Sequence, residues 1–338
     1  MRNRSLLLLV LAALLAAAPA GAAQPRVKLA TLAPRGSSFH QYLVEMGEAW
    51  RKAPAGGAAL TIYPDGSMGS EADMVRKMRI GQIQAAMLTG VGLKEIDDSV
   101  AAVQLMPMMF RSLDEVSAAL EHMRPRLEKA LYDKGFVVLF WGDAGWVRLF
   151  TKDTVLTPDD LKKTKLSTIA GDTAQNQIMK AAGYQPVPLD VADLLHAFQT
   201  GMIDAMFTIP YFALSSQIYQ RAPHMLELDW APLIGGTVIT RKAWDDLPEA
   251  AREALRASAL AAGDKIRARS RAESDEAVEA MRKRGLQVHP MTPQIEAAWR
   301  SATEAVYPQI RGAIIPADLF DDVRSFLEER RGGAKAAK

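Results

Sequence analysis

The side chains able to do acid–base or metal chemistry near neutral pH are few in this sequence, and their spacing supports neither. Five histidines occur, no two at zinc-ligand spacing, and there is no His-Glu-x-x-His, no Gly-x-Ser-x-Gly and no Walker-type phosphate loop. The chain has no cysteine, which removes thiolate nucleophiles, thiolate metal sites, disulfides and a cysteine-linked lipid anchor. Gly90-Val91-Gly92 is an isolated fragment of a glycine-rich loop and carries almost no weight. His196 falls inside an expected helix, where a packed or surface role is the ordinary one. His40 stands just after the first expected strand, nearer to a cleft, yet no carboxylate is placed to orient it. The sequence therefore assigns no catalytic residue, no metal and no cofactor, and its chemistry reads as binding rather than turnover.

Binding residues must be held by the elements around them, and here strands and helices alternate. Residues 27–32 read as a strand and 38–53 as a helix with Phe39, Leu43, Met46 and Trp50 at helical spacing. A strand at 60–63 ends in the turn Pro64-Asp65-Gly66, Ser70 and Asp73 form a capping box, and 83–88 is a third strand. Ser112 with Glu115 caps a helix running past Pro125 to residue 134. The pattern then repeats. Strands are expected at 137–141, 147–151, 165–169 and 205–209, with helices opened by Thr157-Pro158-Asp159-Asp160, at 173–182, and capped by Asp190 with Asp193. A strand at 237–240 returns toward the first half.

This is an α/β chain in two lobes, expected as 24–144 plus 232–268 and 145–231 plus 269–331. Crossing strands near 142–150 and 230–240 join them. Residues 248–285 read as one helix of about 37 residues, about 55 Å long, enough to lie across both lobes. Its charge run reads as a solvated face with i,i+4 pairs. Two more helices are expected in 292–331, then a disordered tail at 332–338.

The N-terminus adds a compartment. Arg2 and Arg4 precede an apolar run at 6–18, Pro19 breaks it, and Ala20-Gly21-Ala22 offers a cleavage site, so 1–23 reads as a signal peptide and the processed chain as periplasmic. Without Arg2 and Arg4, the 41 basic residues fall to 39 against 39 acidic ones. That balance argues against nucleic acid or an anionic membrane surface as partner.

Seven short stretches in this order carry a resemblance over essentially the whole processed chain. They are Leu29-Ala-Thr-Leu-Ala-Pro34; Ile62-Tyr-Pro-Asp-Gly-Ser-Met-Gly69; Met74-Val-Arg-Lys-Met-Arg-Ile-Gly81; Gly145-Trp-Val-Arg-Leu-Phe-Thr151; Thr157-Pro-Asp-Asp-Leu-Lys162; Ala197-Phe-Gln-Thr-Gly-Met-Ile-Asp204; and Trp244-Asp-Asp-Leu-Pro248. The chain resembles the DctP-type periplasmic solute-binding subunits of tripartite ATP-independent periplasmic (TRAP) transporters. The resemblance implies a two-lobed fold closing by a hinge, a long helix across both lobes, and two integral-membrane partner subunits driven by an ion gradient. It also allows a tetratricopeptide-repeat periplasmic partner, found with members that bind apolar ligands.

Typical members hold an organic acid with an arginine in a Lys-hydrophobic-Arg triplet, whose fork matches a carboxylate. Here the triplet is Lys165-Leu166-Ser167, so Ser167 stands where that arginine would be. Arg148 matches a second arginine that commonly helps hold the acid. After Asp204 the usual polar run is replaced by Ala205-Met206-Phe207-Thr208, then Ile209, Pro210, Tyr211 and Phe212.

Ligands in open α/β sheets sit beyond the carboxyl ends of strands, which selects Ser38, Phe39, His40, Thr89, Gly90, Trp146, Arg148, Ser167, Thr168, Phe207 and Thr208, with Tyr211 and Phe212 beside them. Trp230, Met106, Met108 and Met109 could also line a pocket, although such side chains fill cores equally often. The favoured ligand is apolar, aromatic or lipid-like with at most one carboxylate. A monocarboxylate on Arg148, a secreted hydrolase and a ligand-presenting sensor stay open.

Overall fold

Helix starts are the most explicit local instructions in this chain. The Ser70 hydroxyl accepts from the Asp73 amide while the Asp73 carboxylate accepts from the Ser70 amide, opening helix Glu71–Arg79. Thr157 and Asp160 do the same for Pro158–Leu161, with proline at the first helical position. Ser37, Ser112 and Thr292 cap Ser38–Arg51, Leu113–Asp133 and Pro293–Glu304. The expected caps Asp190 and Asp193 are not formed. A 3-10 turn, Val191–Asp193, precedes helix Leu194–Gln199, and Asp193 is itself helical (φ −92°, ψ −11°), so neither carboxylate takes an end amide.

The computed structural model describes residues 24–170 and 172–336; the expected signal peptide lies outside them. Nine strands form one sheet: β1 Arg26–Thr31, β2 Ala59–Tyr63, β3 Ala85–Thr89, β4 Phe136–Thr151, β5 Lys165–Ile169, β6 Gln185–Leu189, β7 Ala205–Thr208, β8 His224–Thr240 and β9 Gln287–His289. Their order is β2-β1-β3-β8-β4-β7-β5-β6, with β9 beside β8.

The expected strands 137–141 and 147–151 are one strand, β4, and 237–240 is only the end of β8. These two long antiparallel strands run through both lobes, and their register slips between Asp143 and Trp146, opposite Ile234 and Pro232. Gly145 sits in the slip at φ 81°, where a side chain would be strained. Two strands were not anticipated, β6 and β9. Pro186 and Pro188 argue against a central strand, and β6 is an edge strand paired only to β5.

Apolar residues cover both faces of the sheet in each lobe. In the first, Ala30, Ala86 and Val138 face one core, and Leu29, Ala85 and Leu139 the other. The long helix Glu249–Arg282 puts Leu255 and Ile266 into the first lobe's core and Met281 into the second's, so it spans both as expected. Its Gly263 has a packing reason: an added Cβ would lie 2.7 Å from the Phe140 Cβ. For Gly263→Ala, the gain in helix propensity is at most about 1 kcal/mol, whereas overpacking typically costs about 1–3 kcal/mol. A net loss of about 1 kcal/mol in urea unfolding is expected. A variant as stable as the parent would mean that helix and strand stand further apart.

The C-terminal region departs from expectation in three ways. There are three helices, Pro293–Glu304, Tyr307–Ala313 and Ala317–Ala336, because Gly312 turns to φ 97° ahead of Pro316. Packing divides the segment 269–331, expected wholly in the second lobe. Trp299 belongs to the second lobe's core, but Ile315, Leu319, Val323 and Leu327 pack in the first's. Third, the helix continues through the expected tail to Ala336. Arg331 ties it down with two hydrogen bonds to Glu115, 2.9 and 2.7 Å, on helix Leu113–Asp133.

Candidate functional site

The carboxyl ends of β1, β3, β5 and β7 converge where β4 and β8 cross, and there they enclose a cavity of about 450 Å³. Phe39, Thr89, Glu71 and Gln104 stand on the first-lobe side and Ser167, Thr168, Phe207, Thr208, Tyr211 and Phe212 on the second. Phe140, Asp143, Val147 and Ile234 come from the crossing strands, and Val306, Ile310 and Ile314 from the C-terminal region. The contacts between the lobes include an ion pair and an aromatic pair. Lys94 Nζ is 3.5 Å from the Asp172 carboxylate, and the Phe39 and Tyr211 rings are 6.1 Å apart between centroids.

The second-lobe wall is aromatic. Phe207 stacks on Trp230 at 4.5 Å and 17°, while Trp299 stands edge-on to both at 6.5 and 5.9 Å. The Trp299 ring N–H donates to the Leu156 carbonyl (2.8 Å), so the polar handle of that ring is already engaged.

Among the described residues, the lining includes two carboxylates, Glu71 and Asp143, and no lysine, arginine or histidine. Asp143 is matched by Arg271 of the long helix, Nε to Oδ1 at 3.0 Å and Nη2 to Oδ2 at 2.8 Å. Glu71 has no such cation. Its oxygens accept from the Thr89 amide (2.6 Å) and hydroxyl (2.7 Å), and burial pushes its carboxyl above the usual range more strongly than these bonds hold it down. Gln104, 8% exposed, uses its side-chain oxygen to accept from the amides of Gly90 (3.1 Å) and Ile234 (3.2 Å).

Eight of the thirteen residues selected from the sequence line the cavity: Phe39, Thr89, Ser167, Thr168, Phe207, Thr208, Tyr211 and Phe212. Two hydroxyls are already engaged, that of Thr89 by Glu71 and that of Thr168 by Asn176 (2.6 Å). Ser38, His40, Gly90, Trp146 and Arg148 are not among the lining residues. Ser38 donates to Glu273 (2.7 Å), and His40 Nδ1 accepts from the Gly36 amide (3.3 Å). Trp146 and Arg148 flank Val147 on β4; Val147 lines the cavity, and alternation turns its neighbours to the other face.

Trp146 accordingly packs on the first lobe's core, and Arg148 Nη1 lies 2.7 Å from Asp229 Oδ1. Burial pushes the Asp229 carboxyl up while Arg148 opposes it. Of the further candidates, Trp230 lines the cavity, Met106 and Met109 are core of the first lobe and Met108 of the second. Sequence reasoning missed Glu71, Gln104, Phe140 and Trp299. Only Glu71 had a signal, as the first residue of a helix following the turn after β2.

Residues 29–312 match the DctP family model, described as bacterial extracellular solute-binding protein, family 7. The chain belongs to the DctP family. An uncharacterised protein of Haemophilus influenzae is 26% identical over 261 residues, 76% of this chain and 78% of that one. Among solved structures, a TRAP periplasmic solute-binding protein of Chromohalobacter salexigens with bound D-glucuronate matches with a TM-score of 0.81 at 19% identity, covering 88% of this chain and 99% of that one. One from Sulfurospirillum deleyianum with bound succinate matches with a TM-score of 0.81 at 18% identity, covering 90% and 99%.

At such identities the likeness is one of fold, the two-lobed solute-binding fold. As a member of the DctP family, this chain is a bacterial extracellular solute-binding protein of family 7. No helix among the described residues is long and apolar enough to cross a membrane.

Proposed function

We propose that this DctP-family protein captures a predominantly apolar solute and delivers it to a TRAP-type transporter. The observation that carries this reading is the absence of any cation among the cavity's described lining residues. A carboxylate drawn from water into such a site would meet no opposite charge, and desolvation would oppose it. Apolar surface, by contrast, gains about 2.5 kcal/mol for each 100 Å² withdrawn from water against rings such as Phe207, Trp230 and Phe212. The ligand contacts proposed are Phe39, Thr89, Ser167, Thr168, Phe207, Thr208, Tyr211 and Phe212. The acids named in the two solved structures belong to those proteins. A tetratricopeptide-repeat partner, which would shield an apolar solute between carriers, is part of the same proposal.

One observation favours a second reading. The Arg148–Asp229 contact is close in distance but not aligned as a hydrogen bond, leaving Asp229 Oδ1 without a donor. An acid on Arg148 would have to displace Asp229. Native mass spectrometry of the protein, with extraction of whatever co-purifies, tests the two together with Arg148→Ala. A neutral apolar ligand should keep its affinity within about threefold in that variant, since Arg148 does not line the cavity. Recovery of a small acid whose binding falls about a hundredfold would put the second reading in place of the first.

A further inference from the structure

Resting on the apolar-ligand reading, the structure also says what kind of polar group that ligand carries. The backbone amides of Thr89 and Gly90 follow one another at the end of β3, and they hold side by side the Glu71 carboxylate and the Gln104 carboxamide. The lone glycine fragment is what admits both. A Cβ at Gly90 would sit 2.7 Å from the Gln104 side-chain oxygen, and one at Gly92 would sit 2.7 Å from the Glu71 carboxyl carbon.

Gln104 is oriented by its bonds: its oxygen takes two backbone amides, so its NH₂ group is left as a donor in the lining. Glu71 keeps acceptor capacity: the Thr89 amide and hydroxyl take one site on each oxygen and the Gly92 amide adds a third contact, of about four lone-pair sites in all. An acceptor and a donor thus stand together in a wall that is otherwise mostly apolar, with no cation beside them. We infer that this pair seats a hydroxyl head group, which donates to Glu71 and accepts from Gln104, and that Glu71 turns carboxylates away. The solute class is an alcohol with an apolar body that runs to the Phe207–Trp230 wall.

The test uses ligand-stripped full-length protein at pH 7.5 and three probes with one chain: decanol, decanoate and decylammonium, followed by Trp fluorescence. Decanol should bind at least about tenfold more tightly than decanoate, and decylammonium no more tightly than decanol. Glu71→Gln removes the charge at constant size and should bring the decanol-to-decanoate ratio below about threefold by admitting decanoate. Gln104→Glu keeps both backbone contacts but replaces the donor, and should weaken decanol about fivefold or more. Decanoate equal to or tighter than decanol in the parent, decylammonium tighter than decanol, or a ratio unmoved in both variants overturns the hydroxyl assignment alone. Succinate binding with no decyl compound bound overturns the apolar reading beneath it.

Discussion

Ser167→Arg is expected to give this cavity an affinity for carboxylates at least about tenfold above the parent's, and to lose stability until an acid is supplied. Ser167 lines the cavity from β5, while its neighbour Leu166 is fully buried in the second lobe's core, as strand alternation requires. A side chain at 167 therefore projects toward the ligand. A guanidinium there can give a carboxylate two parallel hydrogen bonds, which serine cannot.

The same group without a partner faces rings and aliphatic carbon, and the two carboxylates among the described lining residues, Glu71 and Asp143, stand outside its lobe, on the first-lobe wall and in the hinge. An unpaired, partly buried charge should lower unfolding stability by about 2–3 kcal/mol. Saturating acid, at about a hundred times its dissociation constant, would restore about 2.7 kcal/mol by mass action. Thermal unfolding with and without decanoate or succinate reads both effects, and calorimetry reads the affinity. A variant as stable as the parent and indifferent to acids would mean that position 167 does not face the ligand.

The fold was legible because the local signals agree with one another. Capping boxes at Ser70 and Thr157, proline at 158 and the apolar spacing of Leu43, Met46 and Trp50 all point to elements that form. What failed was local reasoning about edges and ends. The prolines of β6 look like a loop until the strand is known to lie at the sheet's edge. The C-terminal helix carries no sign of which lobe it will join, since an amphipathic face fits either core.

The cavity was legible to the extent that strand ends predict it. Six positions chosen on that rule line it, with Tyr211 and Phe212 beside them, and two that stand outside the lining, Trp146 and Arg148, differ from Val147 by one residue of phase. Gln104 and Trp299 had no signal, because they reach the cavity through tertiary packing from segments far away in sequence.

Arg271→Ala is expected to destabilise the protein by about 3 kcal/mol, and more than removal of both members of its ion pair. Asp143 is 5% exposed and lies at the slip between the crossing strands, where the lobes join. Arg271 meets it with two charge-assisted bonds, also donates to Ser117 (2.8 Å), and its neighbour Ser270 donates to the Asp143 carbonyl (2.6 Å). Truncating Arg271 leaves a buried carboxylate with little beyond the Gly145 amide at 3.4 Å to accept from. The full desolvation penalty then falls on the folded state.

Arg271→Met with Asp143→Asn removes both charges while keeping bulk, so that double variant should lose only about 1–2 kcal/mol. Urea unfolding of the two variants decides the matter. Equal losses would mean that the pair contributes only contact area, whereas the expected inequality makes Asp143 a charge fixed in the hinge by the long helix. In that case the helix does more than lie across the two lobes: it sets the electrostatics of the strands about which they are joined.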